Sequence, residues 1–346
     1  MNNIFVNRLI EYREKCDAFF SDGRCSDFLN SLGLDSADKR YVQALVEHSM
    51  GGKRIRAFLV WLSYGMLRGF DNADKVLLPS LSYELFQTGI LAHDDIIDNS
   101  DYRRFKPSMH KTLGEGHDGV SKSICVGDYG IVAACEILQK CDFSDAVKLR
   151  AVSHQNSVFA KTISGELRDI EFESLDFVNE EQILDMYRLK TAQYTVSGPL
   201  VLGAILAEAD SHDISLLSEF GDAVGISFQI KDDILGIFGD ENKLGKSVVS
   251  DMCEGKKTVL TCHFKKNADA ESRKIFESIY GKKSAGIEEL LIVRKLFDDC
   301  GSHTYAEELC KEYTRKALSV LSEIKINDKG QELLLALLEY MTNRTN

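Results

Sequence analysis

The sequence predicts an all-α protein, and three observations carry that expectation. Only Pro79, Pro107 and Pro199 interrupt 346 residues, so long stretches lack the residue that breaks helices. Apolar side chains recur three and four positions apart through most of the chain, the period of a helix with one buried face. No run alternates apolar and polar residues as a half-buried strand would.

In chain order that period places helices over 4–20, 39–47, 56–67 and 78–99, then over 122–139, 145–172, 180–189, 192–207 and 211–238. Further helices are predicted over 268–280, 287–297, 304–322 and 331–342. The breaks fall on turn formers, as at 69–72, 114–119 and 239–245. Long apolar-faced helices with short connections predict an antiparallel bundle, whose centre suits a polar site above an apolar shaft.

Composition narrows the class. No Pro/Ser-rich linker, low-complexity tract or sharp charge shift divides the chain, and an apolar content of 44% fills a substantial core, so 1–346 is expected to be a single domain. The longest uncharged run, 191–207, contains Gly198 and Pro199 and falls short of a membrane span. Arg8, Glu11 and Arg13 interrupt the N-terminal segment, which does not read as a signal peptide. Nine scattered cysteines without a C-x-x-C spacing read as reduced thiols of a cytoplasmic protein. A net charge of −12 argues against nucleic acid as a partner.

Two acidic stretches point to chemistry: DDIID at 94–98 and KDDILGIFGD at 231–240. Asp94 and Asp98 are four apart, as are Asp232, Gly236 and Asp240, so on helices each set lines one face with neighbours roughly 5 to 6 Å apart. One such stretch alone would be a solvated face. Both sit among apolar residues, including Ile90, Ile96, Phe228 and Ile234, and carboxylates beside a buried wall need partners. Neither has the ligand spacing of an EF-hand loop. Facing carboxylates suit Mg²⁺, which keeps several waters and takes oxygens from a substrate phosphate. The implied ligand is a diphosphate. Two basic loops in this acidic chain, GGKRIR at 51–56 and DYRRFKP at 101–107, offer cations to phosphate oxygens.

These residues resemble the trans (head-to-tail) isoprenyl diphosphate synthases, or polyprenyl synthetases. GGKRIR resembles that family's GGKRxRP element, DDIID its first aspartate-rich motif, and Arg103-Arg104 the basic pair that follows. GDYG at 127–130, GELRD at 165–169, Lys190-Thr191, FQIKDD at 228–233, Lys246 and Lys256 continue the series in order. The resemblance implies an all-α isoprenoid synthase bundle, usually a homodimer, that joins isopentenyl diphosphate to dimethylallyl, geranyl or farnesyl diphosphate. It implies that Asp94, Asp98 and Asp232 hold about three Mg²⁺ ions on the allylic diphosphate, with Asp95 and Asp233 in support. Arg103, Lys190, Lys246 and Lys256 would bind that diphosphate. Lys53, Arg56, Gln87 and Arg104 would bind isopentenyl diphosphate, and Thr191 and Gln229 would border the reacting centre. A class I terpene cyclase would not need the GGKRIR loop with Gln87 and Arg104, and a non-catalytic partner subunit would not need both acidic motifs.

Four positions depart from the pattern: Gly236 stands for an aspartate, Glu166 for Gln, Ala57 for Pro and Phe105 for Gly. Asp240 lies one turn beyond Gly236, and Glu166 is expected to pair with a cation such as Arg168. Product length is read along the helix before Asp94. Ile90 and Tyr83, four and eleven residues earlier, share its direction, and Phe86 flanks them. In the resembling family aromatic residues at the positions of Gly89 and Ile90 stop growth at fifteen carbons. Neither is aromatic here, so Tyr83 and Phe86 become the expected floor and geranylgeranyl diphosphate the expected product, with a longer polyprenyl or a farnesyl product as alternatives.

Overall fold

The computed structural model describes residues 3–33, 39–239 and 248–342. Helices α1 (Asn3–Ser21), α2 (Arg24–Asn30), α3 (Lys39–Ser49) and α4 (Ile55–Arg68) lead into a 3₁₀ segment, Phe70–Val76, and α5 (Leu77–Ile97). A two-residue ribbon pairs β1 (Tyr102–Arg103) with β2 (Lys106–Pro107) before α6 (Met109–Leu113), α7 (Gly116–Gln139) and α8 (Asp145–Glu173). Then come α9 (Glu180–Tyr187), a π-helical segment Arg188–Ser197, α10 (Gly198–Leu206) and α11 (Ser211–Phe238). The remaining described helices are α12 (Ser250–Glu254), α13 (Val259–Asn267), α14 (Ala270–Ile279), α15 (Ile287–Asp299), α16 (Ser302–Leu321) and α17 (Asp328–Thr342).

Burial follows from the residues. Helices α4 and α10 are apolar on nearly every face, and both are buried almost throughout, as the centre of a bundle requires. They cross closely because a Cβ on Gly203 of α10 would strike the Val60 carbonyl and the Ser63 side chain of α4. Helix α11 serves two apolar clusters: Leu217, Phe220 and Val224 belong to the one that also takes in α4, α5 and α10, while Ile230, Ile234 and Ile237 belong to the one with Phe264, Phe297 and Leu260. None of the nine cysteines forms a disulfide. Among the described residues no helix is long and apolar enough to cross a membrane.

The differences from the sequence expectation have local causes. The short helices α2, α6, α12 and α13 give too few turns for a period to show. The ribbon at 102–107 turns through Arg104 and Phe105 at φ 52° and 62°, a left-handed pair that usually calls for Asn or Gly. Helix α7 begins at Gly116, inside the stretch expected to be a break. The expected interruption between 189 and 192 is instead a continuous wide turn. Gly165 of α8 and Gly225 of α11 admit it, since a Cβ on either would run into the backbone of Lys190 or Ala192.

Candidate active site

Four helical segments converge on one cavity of about 480 Å³. Helix α5 brings Asp94 and Asp98 at its C-terminal end, α11 brings Gln229 and Asp232, and α8 brings Glu166 and Asp169. The π segment adds Lys190 and Thr191, consistent with the frequent use of π turns at functional sites. Lys256 closes the polar rim. One turn deeper the wall is Ile90, Thr162, Tyr194 and Phe228.

The cations are held by carboxylates. Lys190 Nζ lies 2.6 Å from Asp169 Oδ2 and 2.8 Å from Glu166 Oε2. Burial pulls its ammonium down, but Asp169 and Glu166 outweigh that and hold it above the usual lysine range. The expected partner for Glu166 is thereby corrected: Arg168 pairs with Asp185, on the outer side of α8. Arg103 bridges neighbouring aspartates, its Nη2 donating to Asp94 and its Nε to Asp95, each at 2.7 Å. Thr191 donates to Gln229 Oε1 at 2.7 Å, Gln229 Nε2 to Asp233 Oδ1 at 2.8 Å, and the Tyr187 hydroxyl to the other Asp233 oxygen. Asp233 is thus a buried anchor, and burial pushes its carboxyl up to about 7.

The donor set fits a hard divalent cation. Asp94, Asp98 and Asp232 line the same cavity from opposite helices and offer only oxygen. Asp98 keeps an exposed face at the rim, yet enclosure by surrounding side chains and the charge on Asp94 push its carboxyl up to about 7, a group that a cation would relieve. Among the described residues no three acidic, histidine or cysteine groups enclose an ion unaided. The fit is to an ion taking one or two carboxylates, water and substrate phosphate oxygens.

The basic loop is divided in role. Arg54 is 3% exposed and makes ion pairs of 2.8 Å with Asp17 and 2.9 Å with Glu84, so it braces the loop. Arg56 reaches the cavity wall, donating to Thr195 Oγ1 at 2.9 Å over the Tyr194 ring. Arg104 donates to the Met50 carbonyl at 3.1 Å and lies against Gly52. Lys53 sits 6.0 Å from the Tyr340 ring, and Gln87 is half-buried on α5; neither lines the cavity. Lys246 and Asp240 lie outside the described residues.

The lower end differs from expectation at three positions. Ile90 lines the cavity, but Gly89 faces α7, where a Cβ would stand 2.6 Å from the Gly127 carbonyl and 3.0 Å from Ile131. Gly89 therefore lets α5 approach α7 closely. Tyr83 and Phe86 do not line the cavity; both are fully buried in an aromatic layer with Phe159. Asp169, Tyr194 and Asp251 also border the cavity without having been singled out. Asp169 stood within the GELRD stretch, while the other two carried no signal of their own.

The polyprenyl synthetase family matches residues 39–296. A geranylgeranyl diphosphate synthase of Saccharolobus solfataricus is 36% identical, covering 84% of this chain and 86% of its own. Two solved structures share the architecture. The geranylgeranyl pyrophosphate synthase of Corynebacterium glutamicum, complexed with isoprenyl diphosphate and magnesium, superposes with a TM-score of 0.83 at 30% identity, covering 99% of this chain and 98% of its own. The enzyme of Pyrococcus horikoshii gives a TM-score of 0.85 at 29% identity, with 98% of each chain covered. A match running without interruption through the basic loop and both acidic helices means that the chain belongs to the polyprenyl synthetase family, as a trans-prenyltransferase.

Proposed function

We propose that the protein condenses isopentenyl diphosphate with an allylic diphosphate, head to tail, and that its product is geranylgeranyl diphosphate. The observation that carries this reading is the depth order of one cavity: Asp94, Asp98, Asp232, Lys190 and Lys256 at the rim, with Ile90, Tyr194 and Phe228 on the wall one turn away. The names of the relatives described above support the twenty-carbon product.

Asp94, Asp98 and Asp232 are proposed to hold magnesium, about three ions by resemblance to the family. When bound, the metal supplies positive charge that stabilises the leaving diphosphate. Lys190 and Lys256, with Arg103 and Lys246, grip that diphosphate and meet the charge growing on its departing oxygen. Glu166 and Asp169 keep the Lys190 ammonium charged and aimed before substrate arrives. The C–O bond ionises to leave an allylic cation and free diphosphate, and Lys53, Arg56, Gln87 and Arg104 hold isopentenyl diphosphate so that its double bond attacks that cation. The proton then lost restores a double bond, and the released diphosphate accepts it. Thr191 and Gln229 border the reacting carbons. No side chain forms a covalent bond, so catalysis rests on positioning and electrostatics.

A homodimer is part of the proposal. Leu149 of α8 and Ile124 and Val132 of the adjoining α7 are 72%, 43% and 54% exposed and lie outside the cavity, apolar positions that a second copy would cover. A cytoplasmic location accords with the unpaired thiols. The test is incubation of purified protein with isopentenyl diphosphate, farnesyl diphosphate and Mg²⁺, followed by chromatography of the products. Twenty-carbon product supports the reading; no condensation, or growth well past twenty carbons, overturns it. Light scattering of the eluted peak checks the dimer.

A further inference from the structure

A chain of four hydrogen bonds runs from the start of α13 to the cavity wall, and its direction is fixed at the far end. The Val259 N–H is the first amide of α13 and has no acceptor within that helix; it donates to the Tyr187 hydroxyl oxygen at 3.2 Å. The Tyr187 proton goes to Asp233 Oδ2. Asp233 Oδ1 accepts from Gln229 Nε2 at 2.8 Å, and it offers only lone pairs whether or not a proton sits on Oδ2. With its amide nitrogen committed to Asp233, Gln229 turns Oε1 to Thr191, whose hydroxyl donates to it at 2.7 Å. Tyr187 and Asp233 are 2% and 6% exposed, so little water competes for these bonds.

We propose that Tyr187 is a positioning residue that, through Asp233 and Gln229, commits the Thr191 proton away from the reacting carbons and leaves the hydroxyl lone pairs facing them. A hydroxyl held in that sense presents negative potential to the allylic cation formed when the C–O bond ionises. The reverse sense, with the Gln229 amide flipped and donating to Thr191, would free the Thr191 proton to point at positive charge. Tyr187 acts at a distance of three side chains, by removing the alternative direction of the network. The inference rests on the condensation proposed above.

The experiment is steady-state kinetics with isopentenyl and farnesyl diphosphates on wild type, Tyr187→Phe, Asp233→Asn, Thr191→Val and Tyr187→Phe/Thr191→Val, alongside calorimetric titration of inorganic pyrophosphate with Mg²⁺. Tyr187→Phe removes the donor to Asp233 with little change of volume. It is expected to lower kcat about tenfold, with KM for both diphosphates and the pyrophosphate affinity within about threefold of wild type. Asp233→Asn, which can put a donor where the carboxylate accepts, is expected to lower kcat at least as far. Thr191→Val keeps the shape and loses the hydroxyl, so adding Tyr187→Phe to it is expected to change kcat by less than about twofold, the non-additivity of groups that act through one another. Wild-type kcat in Tyr187→Phe or Asp233→Asn, or the full loss repeated on the Thr191→Val background, overturns the inference. So does a loss confined to KM and pyrophosphate affinity, which would mean that Tyr187 serves the diphosphate-binding lysines instead. A wild type that fails to condense the two substrates overturns the reading of the reaction, and the inference with it.

Discussion

The rings of Phe86 and Phe159 stack with centroids 3.3 Å apart and planes 5° from parallel. Phe86 stands two turns below Asp94 on α5, about 12 Å along the helix at the usual rise, and Phe159 about two turns below Glu166 on α8. Tyr83 meets Phe159 edge-on at 6.2 Å, and Tyr194 meets Phe86 at 6.1 Å. The stack is buried below Ile90 and Thr162 and does not line the cavity, so it is expected to limit the product only where the growing tail passes beyond them. With excess isopentenyl diphosphate, Phe86→Ala/Phe159→Ala and Tyr83→Ala/Phe86→Ala are expected to lengthen the product, and Ile90→Phe to shorten it. Large-to-small changes here cost about 3 to 5 kcal/mol each, so Phe86→Leu/Phe159→Leu is the milder companion. Unchanged chain lengths in all four variants would remove the stack from the role of floor.

Asp94 and Asp232 face one cavity from separate helices, and neither contributes to the apolar cores. Asp94→Ala or Asp232→Ala is expected to lower turnover by about 10³ or more, equivalent to roughly 4 kcal/mol of transition-state stabilisation, with an unchanged circular dichroism spectrum. Full activity in excess EDTA, or near-normal condensation in either variant, would contradict metal-assisted departure of the diphosphate.

How much of this was legible in the sequence depends on the reach of each signal. The paired acids of α5 and α11 were visible because side chains four apart share a helix face whatever surrounds them. The Lys190 clamp was half visible: its cation was singled out, but Asp169 and Glu166 approach it only through packing of α8 on the π segment. Gly236 was visible as a departure from the motif, while the Asp251 side chain that lies against it comes from α12, too far along the chain for a helical period to link the two. The π turn itself was illegible, because 188–197 is compatible with an ordinary helix until Gly165 and Gly225 are seen against it.

The basic residues lie on two sides of the cavity, and kinetics can separate them. Arg56 approaches from the α4 side beside Thr195, whereas Lys190 sits with Glu166 and Asp169 on the side of the acidic helices. Lys53→Ala and Arg56→Ala are expected to raise KM for isopentenyl diphosphate by about tenfold or more, with a much smaller change for the allylic substrate. Lys190→Ala is expected to do the reverse. Equal effects on both substrates would mean that the loops do not form separate sites.

Phe105 occupies a left-handed backbone conformation at φ 62° while its ring is 87% exposed. The ring contributes little burial to offset the strain, which for a side-chain-bearing residue is about 1 to 2 kcal/mol. Phe105→Gly is expected to stabilise the protein by about 0.5 to 1 kcal/mol, the strain relieved less the extra freedom of glycine in the unfolded chain. Denaturant midpoints measure this directly, and a destabilised Phe105→Gly would show that the ring has a packing role.

His154 links α8 to the end of the π segment, its Nε2 lying 2.9 Å from the Gly198 carbonyl. Burial pushes its imidazole below the usual range; the hydrogen bond to Gly198 opposes that shift only in part, and Lys161 adds to it. The folded protein therefore binds fewer protons here than the unfolded chain, whose histidine titrates near about 6.5. Stability from this group is fully present above that pH and is lost as pH falls from there toward the lower folded value, at up to about 1.4 kcal/mol per pH unit. His154→Gln retains a donor for the Gly198 carbonyl but cannot titrate. Between pH 8 and 5.5, thermal unfolding of the wild type is expected to show a steeper loss of stability than that of His154→Gln, the two curves running parallel above pH 7. Parallel curves across the whole range would mean that His154 does not contribute to acid sensitivity.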